Sequence, residues 1–350
     1  MRSRRLIVGV AGVMVAGVFA VCAAVGQGAD TSARVAAAAR RNSLNLVEQR
    51  PWHLKLDVTV FDAEGKHPSE GTIEVWRSGA DQRVLTTFGD SSRFTTRHNG
   101  EFYMRSSGPE VPVEADLVLQ QVLDPGPGPS DIGGSTPELR IQKFGKTKLD
   151  CIMLTQPTKG LKDIPLGLYP TYCLDAKDAI RVSYNFVSRT VLINGVGEFL
   201  DHTVPIQMSI YRGISGQVVV ATSKVSALST YVPTPGEFDP TADMKAVVDL
   251  DDRKGGTVRQ AISAGSRSKF VEPIYPEGPK QRHESGTVRF RAIIGRDGHI
   301  HSLRPTDDSD SEFVVAAIEA VGQWTYRPYE LKGVPVEVDT TITVNFEWAR

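Results

Sequence analysis

The stretch from Val336 to Trp348 alternates with a period of two. Val336, Val338, Thr340, Ile342, Val344 and Phe346 fall on one side, and Glu337, Asp339, Thr341, Thr343, Asn345 and Glu347 on the other. That pattern belongs to an unbroken strand with one dry and one wet face. The elements needed to cover the dry face lie just upstream. Val288, Phe290, Ala292 and Ile294 share one side of a strand, with Arg289 and Arg291 on the other. Asp297-Gly298 is a preferred pair for a tight hairpin turn, returning through His299–Leu303. Phe313, Ala317, Ala320 and Trp324, widened by Val314, Ile318 and Val321, line one stripe of a helix. Asp310 is placed to cap that helix, with Glu312 in its first turn. Gly322 weakens the last turn and Pro328 forbids continuation. The expectation is a ββαβ module over 266–350, its helix packed on its sheet.

The other end of the chain reads as an export signal. Arg2, Arg4 and Arg5 precede an uncharged apolar run from Leu6 to Gly26. Two outcomes follow for residues 1–29. The segment is a signal peptide, cleaved after Gly26 or less favourably after Ala29, or residues 6–26 remain as an inner-membrane anchor with the arginines in the cytoplasm. Cys22 follows Phe19-Ala20-Val21, a poor lipid-attachment signal. Either outcome places the body of the protein in the periplasm. Cys151 and Cys173 then form an even pair in an oxidising compartment, which favours a disulfide. Two unpaired buried thiols are the alternative. The net charge of -1 argues against a nucleic-acid partner.

Between these ends, residues 33–235 read as an antiparallel β domain. A short helix over Ala33–Asn45 precedes the alternation of Trp52, Leu54, Leu56, Val58 and Val60. Further strands are expected over Gly71–Arg77, Arg83–Phe88, Ser92–Thr96 and Glu101–Arg105, then a helix over Glu114–Leu123. Asp124-Pro125-Gly126-Pro127-Gly128-Pro129 breaks regular structure. Strands resume at Glu138–Phe144 and Lys148–Thr155, and continue over Thr171–Leu174, Ala179–Phe186, Thr190–Ile193, Val204–Arg212 and Gln217–Ser229. Short turns between successive strands imply a curved, open antiparallel sheet or half-barrel. Residues 239–265, polar and mixed in charge, read as the linker to the C-terminal module. The fold class is α+β.

Two family resemblances accompany this reading. The ordered set Tyr275-Pro276, Gly286, Asp297-Gly298, Trp324, Tyr326, Pro328 and Phe346 resembles the C-terminal domain of TonB-type energy transducers, over about 262–350. The resemblance implies that a short segment of an outer-membrane or other envelope protein adds as an extra strand beside the last one. The strand that would receive it carries Val336, Val338, Thr340, Thr341, Ile342, Thr343, Val344, Asn345 and Phe346. Pairing of this edge with a second copy, giving a homodimer, or covering by the front domain, is the alternative. The sequence departs from energised transducers in two ways. The run Leu6–Gly26 holds no Ser or His, and a folded domain replaces the long Pro-rich spacer. The second resemblance, over about 44–231, is to the curved sheet of LolA/LolB-type lipoprotein carriers. It rests on Trp52-His53-Leu54-Lys55, on Gly71-Thr72-Ile73-Glu74-Val75-Trp76 and on the Gly-rich break between helix and strand. It implies an apolar or lipid ligand in the front domain.

No Gly-x-Ser-x-Gly, His-Glu-x-x-His or Cys-x-x-Cys motif occurs, and no nucleophile has a visible base. His299 and His301 share a strand face without a third ligand nearby, too little for a metal site. The expectation is a non-enzymatic envelope protein with no cofactor and no metal, either a partner-binding protein acting through its last strand or a lipid or lipoprotein carrier docked through that strand.

Overall fold

The computed structural model describes residues 28–47, 50–62, 65–155, 166–185, 189–212, 218–247, 258–259, 266–296, 298–306, 310–331 and 334–348. The apolar run Leu6–Gly26 and Asp297 lie outside the described residues. Among the described residues no helix is long and apolar enough to cross a membrane.

A single large antiparallel sheet forms the front of the chain. Helix α1 (Gly28–Arg41) precedes a run of hairpins, β1 (Trp52–Val60), β2 (Ser69–Ser78), β3 (Asp81–Phe88), β4 (Ser91–His98) and β5 (Glu101–Ser107). Helices α2 (Val113–Leu123) and α3 (Pro129–Gly133) then carry the chain to the far end of the sheet. A second run follows: β6 (Thr136–Phe144), β7 (Thr147–Thr155), β8 (Thr171–Leu174), β9 (Ile180–Asn185), β10 (Arg189–Phe199), β11 (His202–Arg212) and β12 (Val218–Thr230). Strand β12 pairs with β1, so the two meanders join in the middle of the sheet. With β13 (Lys245–Val247) added beside β5, the order is β13-β5-β4-β3-β2-β1-β12-β11-β10-β9-β8-β7-β6. The end strands do not pair with each other, so the curved sheet stays open.

The alternation in β1 produces one dry face. Trp52, Leu54, Leu56 and Val58 are buried there with Ile73, Val75, Met208 and Ile210. Val35 and Ala38 of α1 and Ala115, Val118 and Val122 of α2 cover that face. The first helix ends at Arg41 instead of running to Asn45, and Leu44–Leu46 form one 3-10 turn. The cause is Asn42, whose buried amide donates to the carbonyls of Ala38 and Asp178 and accepts from the Ile180 amide. Bound in this way, it cannot remain a helical surface residue. Strand β10 runs past the expected end at Ile193 to Phe199, because the Gly195 and Gly197 region is a bulge within the strand and not a loop.

Cys151 and Cys173 face each other across β7 and β8 and form a disulfide, so the unpaired-thiol alternative falls. The bond closes a loop with a sequence separation of 22 residues. The loop ends in Leu168 and Tyr169, which share an apolar cluster with the C-terminal helix and sheet. Replacing both cysteines with serine is expected to lower unfolding free energy by about 3 kcal/mol, the chain-entropy value for such a loop. Urea denaturation of the double variant against the oxidised parent checks this.

The C-terminal body contains β14 (Val258–Arg259), β15 (Arg267–Lys269), α4 (Glu277–Arg282), β16 (Gly286–Ile294), β17 (Ile300–Pro305), α5 (Ser311–Val321), β18 (Thr325–Tyr326), β19 (Tyr329–Leu331), β20 (Val334–Val336) and β21 (Val338–Phe346). Its main sheet runs β14-β21-β16-β17. The ββαβ order read from the sequence is therefore present as β16, β17, α5 and β21. Asp310 caps α5 by accepting from the Glu312 amide at 2.8 Å. Phe313, Val314, Ala317, Ile318, Ala320, Val321 and Trp324 are buried. One expectation needs correction: the alternating run is not one unbroken strand. Val336 belongs to the short β19–β20 hairpin, opposite Tyr329, and the long strand starts at Val338. The partner strand β16 ends at Ile294, opposite Val338, so Val336 has no ladder to join on that side.

Candidate functional site

The family-type residues of the C-terminal body build its frame. Tyr275 sets its ring edge-on against Phe313 at 5.7 Å and Phe346 at 5.8 Å, and its hydroxyl donates to the Glu284 carbonyl. Pro276 precedes α4. Gly286 lets the Phe313 ring lie against its backbone, since a Cβ there would sit 2.5 Å from the ring. Gly298 has φ +76, and a Cβ there would overlap the Tyr326 carbonyl oxygen. Its own carbonyl accepts from the Tyr326 amide at 2.8 Å. Pro328 closes over the same turn. The Trp324 indole donates to the Val271 carbonyl at 2.7 Å. Burial pushes the Tyr326 phenol up to about 12. The structure thus brings Gly298, Tyr326 and Pro328 together at one corner, and Tyr275, Gly286 and Phe346 at the other end of α5.

The edge is a different matter. In an antiparallel strand the N–H and C=O of one residue point to the same side. The Thr306 amide donates to the Arg289 carbonyl, so Arg289 points its main chain toward β17. Arg289 lies opposite Thr343 in the β16–β21 register, which makes that pair non-hydrogen-bonded and turns the Thr343 main chain outward. The same parity turns Asp339, Thr341 and Asn345 outward and leaves Val338, Thr340, Ile342, Val344 and Phe346 bonded to β16. Side chains follow a matching division: Thr341, Thr343 and Asn345 are exposed, while Val338, Thr340, Ile342, Val344 and Phe346 are buried.

Asp339 departs from the expected wet face. It is buried because Arg291 clasps its carboxylate through Nε and Nη2, at 3.0 and 2.5 Å. The hydrogen bond to Asp339 holds the Arg291 guanidinium above its ordinary pKa. Both residues were visible on the polar faces of their strands, but only the register places them together. Beyond Asp339, no described strand lies beside β21 on its outer side. At Val338 and Asp339 that side carries β14, which runs parallel to it.

Elsewhere the described residues offer less. A groove of about 610 Å³ crosses β2, β1, β12 and β11, lined by Asp57, Thr59, Glu70, Thr72, Gln207 and Lys224 among others. It is polar. The dry face of the front sheet is filled by α1 and α2. No group of three or more His, Cys, Asp or Glu gathers at metal-holding distance among the described residues.

Comparison with known proteins bears on the same region. Residues 271–348 match the family model described as Gram-negative bacterial TonB protein C-terminal. A curated relative, Protein TonB of Vibrio cholerae serotype O1, is 31% identical over 81 residues, which cover 23% of this chain and 33% of that protein. The chain thus spans about a third of the length of the curated relative it matches. Among solved structures, the TonB2 protein of Vibrio anguillarum covers 26% of this chain and 91% of its own, at 23% identity and a TM-score of 0.21. A LolA superfamily protein from Nitrosomonas europaea covers 61% of this chain and 98% of its own, at 9% identity and a TM-score of 0.40. By sequence family and by the order of its strands and helix, residues 271–348 are a domain of the TonB C-terminal type.

Proposed function

We propose that this chain is an exported envelope protein whose C-terminal domain captures an extended segment of another envelope or outer-membrane protein as an added strand beside β21. The observation that carries the reading is the outward main chain of Thr341, Thr343 and Asn345, with no described strand alongside. An open ladder of this kind binds through main-chain hydrogen bonds, and alternate side chains set the choice of partner. Where the captured protein is an outer-membrane transporter, the domain serves transmembrane transport. The function is binding, without catalysis or cofactor, and it operates in the periplasm.

A proline scan of the edge tests the reading. Thr341→Pro and Thr343→Pro together remove two outward N–H groups, whereas deletion of the strand would also remove the buried Val344 and Phe346. With the full chain as bait in envelope extracts, the double variant is expected to lose the cross-linked partner entirely while retaining protease resistance over 286–331. Undiminished capture of the same partner would sink strand addition. Capture lost only as a dimer of this chain would assign the edge to self-association instead.

A carrier role for the front sheet has weaker support. A hydrocarbon ligand needs an apolar face, and the side chains of α1 and α2 already fill the one this sheet offers. Arg34 ties α1 to Asp150 and Asp178, so loading would have to break those ion pairs.

A further inference from the structure

The connector between the two bodies places a strand on each of them. β13 extends the front sheet beyond β5, antiparallel over Lys245–Val247, and β14 lies parallel to the start of β21. The front attachment is broad. Arg105 pairs with Asp243, the Thr96 hydroxyl donates to the Phe238 carbonyl at 2.9 Å, and Arg83 donates to the Glu237 carbonyl. The C-terminal attachment is only two residues long, Val258 beside Val338 and Arg259 beside Asp339. It sits on the same outer side of β21 as the outward groups of Thr341, Thr343 and Asn345.

We infer that Val258–Arg259 is a displaceable latch, an in-cis occupant of the edge that an incoming partner strand must remove before it can pair along the whole of β21. The inference rests on the strand-addition reading above. Its physical basis is the contrast between the two attachments. The connector is anchored at 247 on the front sheet and resumes at 266 in the C-terminal body, so the latch segment never diffuses away. A tether of that kind supplies an effective concentration on the order of millimolar, which keeps even a weak contact populated. Two residues make few ladder hydrogen bonds, whereas a strand running from Asp339 to Asn345 makes a full set. A long partner strand therefore wins, with its apparent affinity reduced by the fraction of molecules in which the edge is open. Short or poorly matched strands lose to the latch. The device also blunts an edge that would otherwise invite unwanted strand pairing.

The experiment uses the full chain, its Val258→Pro/Arg259→Pro variant, and a fluorescein-labelled synthetic peptide copying residues 255–262 as the probe. Hydrogen exchange is read first. The variant is expected to exchange faster over 338–340 with 286–294 unchanged, and no change there overturns the latch whatever the probe does. Peptide anisotropy is read second. Binding to the variant is expected to be about tenfold tighter than to the parent, and to vanish when Thr341→Pro and Thr343→Pro are added. Equal binding to parent and variant overturns gating alone. Faster exchange with the peptide bound by neither chain overturns strand addition itself, and gating with it, while leaving the contact between β14 and β21 standing.

Discussion

Gly298→Val is expected to unfold the C-terminal domain while sparing the front sheet. At φ +76 the backbone lies in the left-handed region, where a β-branched side chain is strained by about 1–3 kcal/mol. The added Cβ also overlaps the Tyr326 carbonyl, which is backbone and cannot swing aside as a flexible side chain would. Moving Tyr326 breaks its hydrogen bond to the Gly298 carbonyl and disturbs Pro328. The combined penalty is at least about 3 kcal/mol, among the larger effects a single substitution produces. Hydrogen exchange read by segment checks it. Protection over 286–294 and 338–346 should fall to the unfolded level, while protection over 52–60 and 202–212 persists. Retained protection in both C-terminal strands would show that the turn tolerates a side chain.

The second large effect is expected at Trp324. Its ring is buried at the end of α5, 5.1 Å from Phe270, with the Arg267 guanidinium 4.6 Å above it. Its indole N–H also holds the Val271 carbonyl. Trp324→Ala removes both contributions and is expected to destabilise the domain by about 3–5 kcal/mol. Trp324→Phe keeps most of the apolar contact and leaves the Val271 carbonyl to water, so it is expected to cost about 1–2 kcal/mol. Urea titrations with segment-resolved exchange over 311–321 supply both values. Because the strap from Ser266 to Val271 is zipped to Thr325–Arg327, the alanine variant should also loosen 266–271 first. Equal losses for Ala and Phe would mean that the hydrogen bond outweighs ring packing.

These expectations separate the frame of the domain from its working surface. Tyr275, Gly286, Gly298, Trp324, Tyr326 and Pro328 are packed against one another, so substituting them tests folding. Thr341, Thr343 and Asn345 contribute little to the core, so changing them tests binding. The ordered words that mark the family in the sequence are mostly the frame. The edge residues carry no distinctive word, because strand addition uses main-chain groups that every residue possesses.

The α+β class, the ββαβ order, the stripe of α5 and most front strands were legible because they depend on local periodicity. Burying one side of a strand or helix writes its period directly into the chain. Trp52 to Val60 and Phe313 to Trp324 are clear instances. Misreadings fell where a long-range partner overrides local pattern. Asn42 ends α1 because residues 178 and 180, far along the chain, supply its hydrogen bonds. Asp339 reads as wet and is dry because the register brings Arg291 onto it. Val336 continues the alternation in sequence, yet leaves the strand because β16 has already ended. The cysteines were readable as a pair from their even count, but only their facing positions on β7 and β8 decided between a bond and two thiols.

The amino-acid sequence by itself determined which residues are strand or helix and which faces are apolar, since both follow from the cost of leaving apolar area in water. Only the tertiary structure decided which edge of β21 stays open, which main-chain groups point outward from it, and that two residues of the connector lie against its first rung. Those are properties of pairing between distant segments. No period within one segment encodes them.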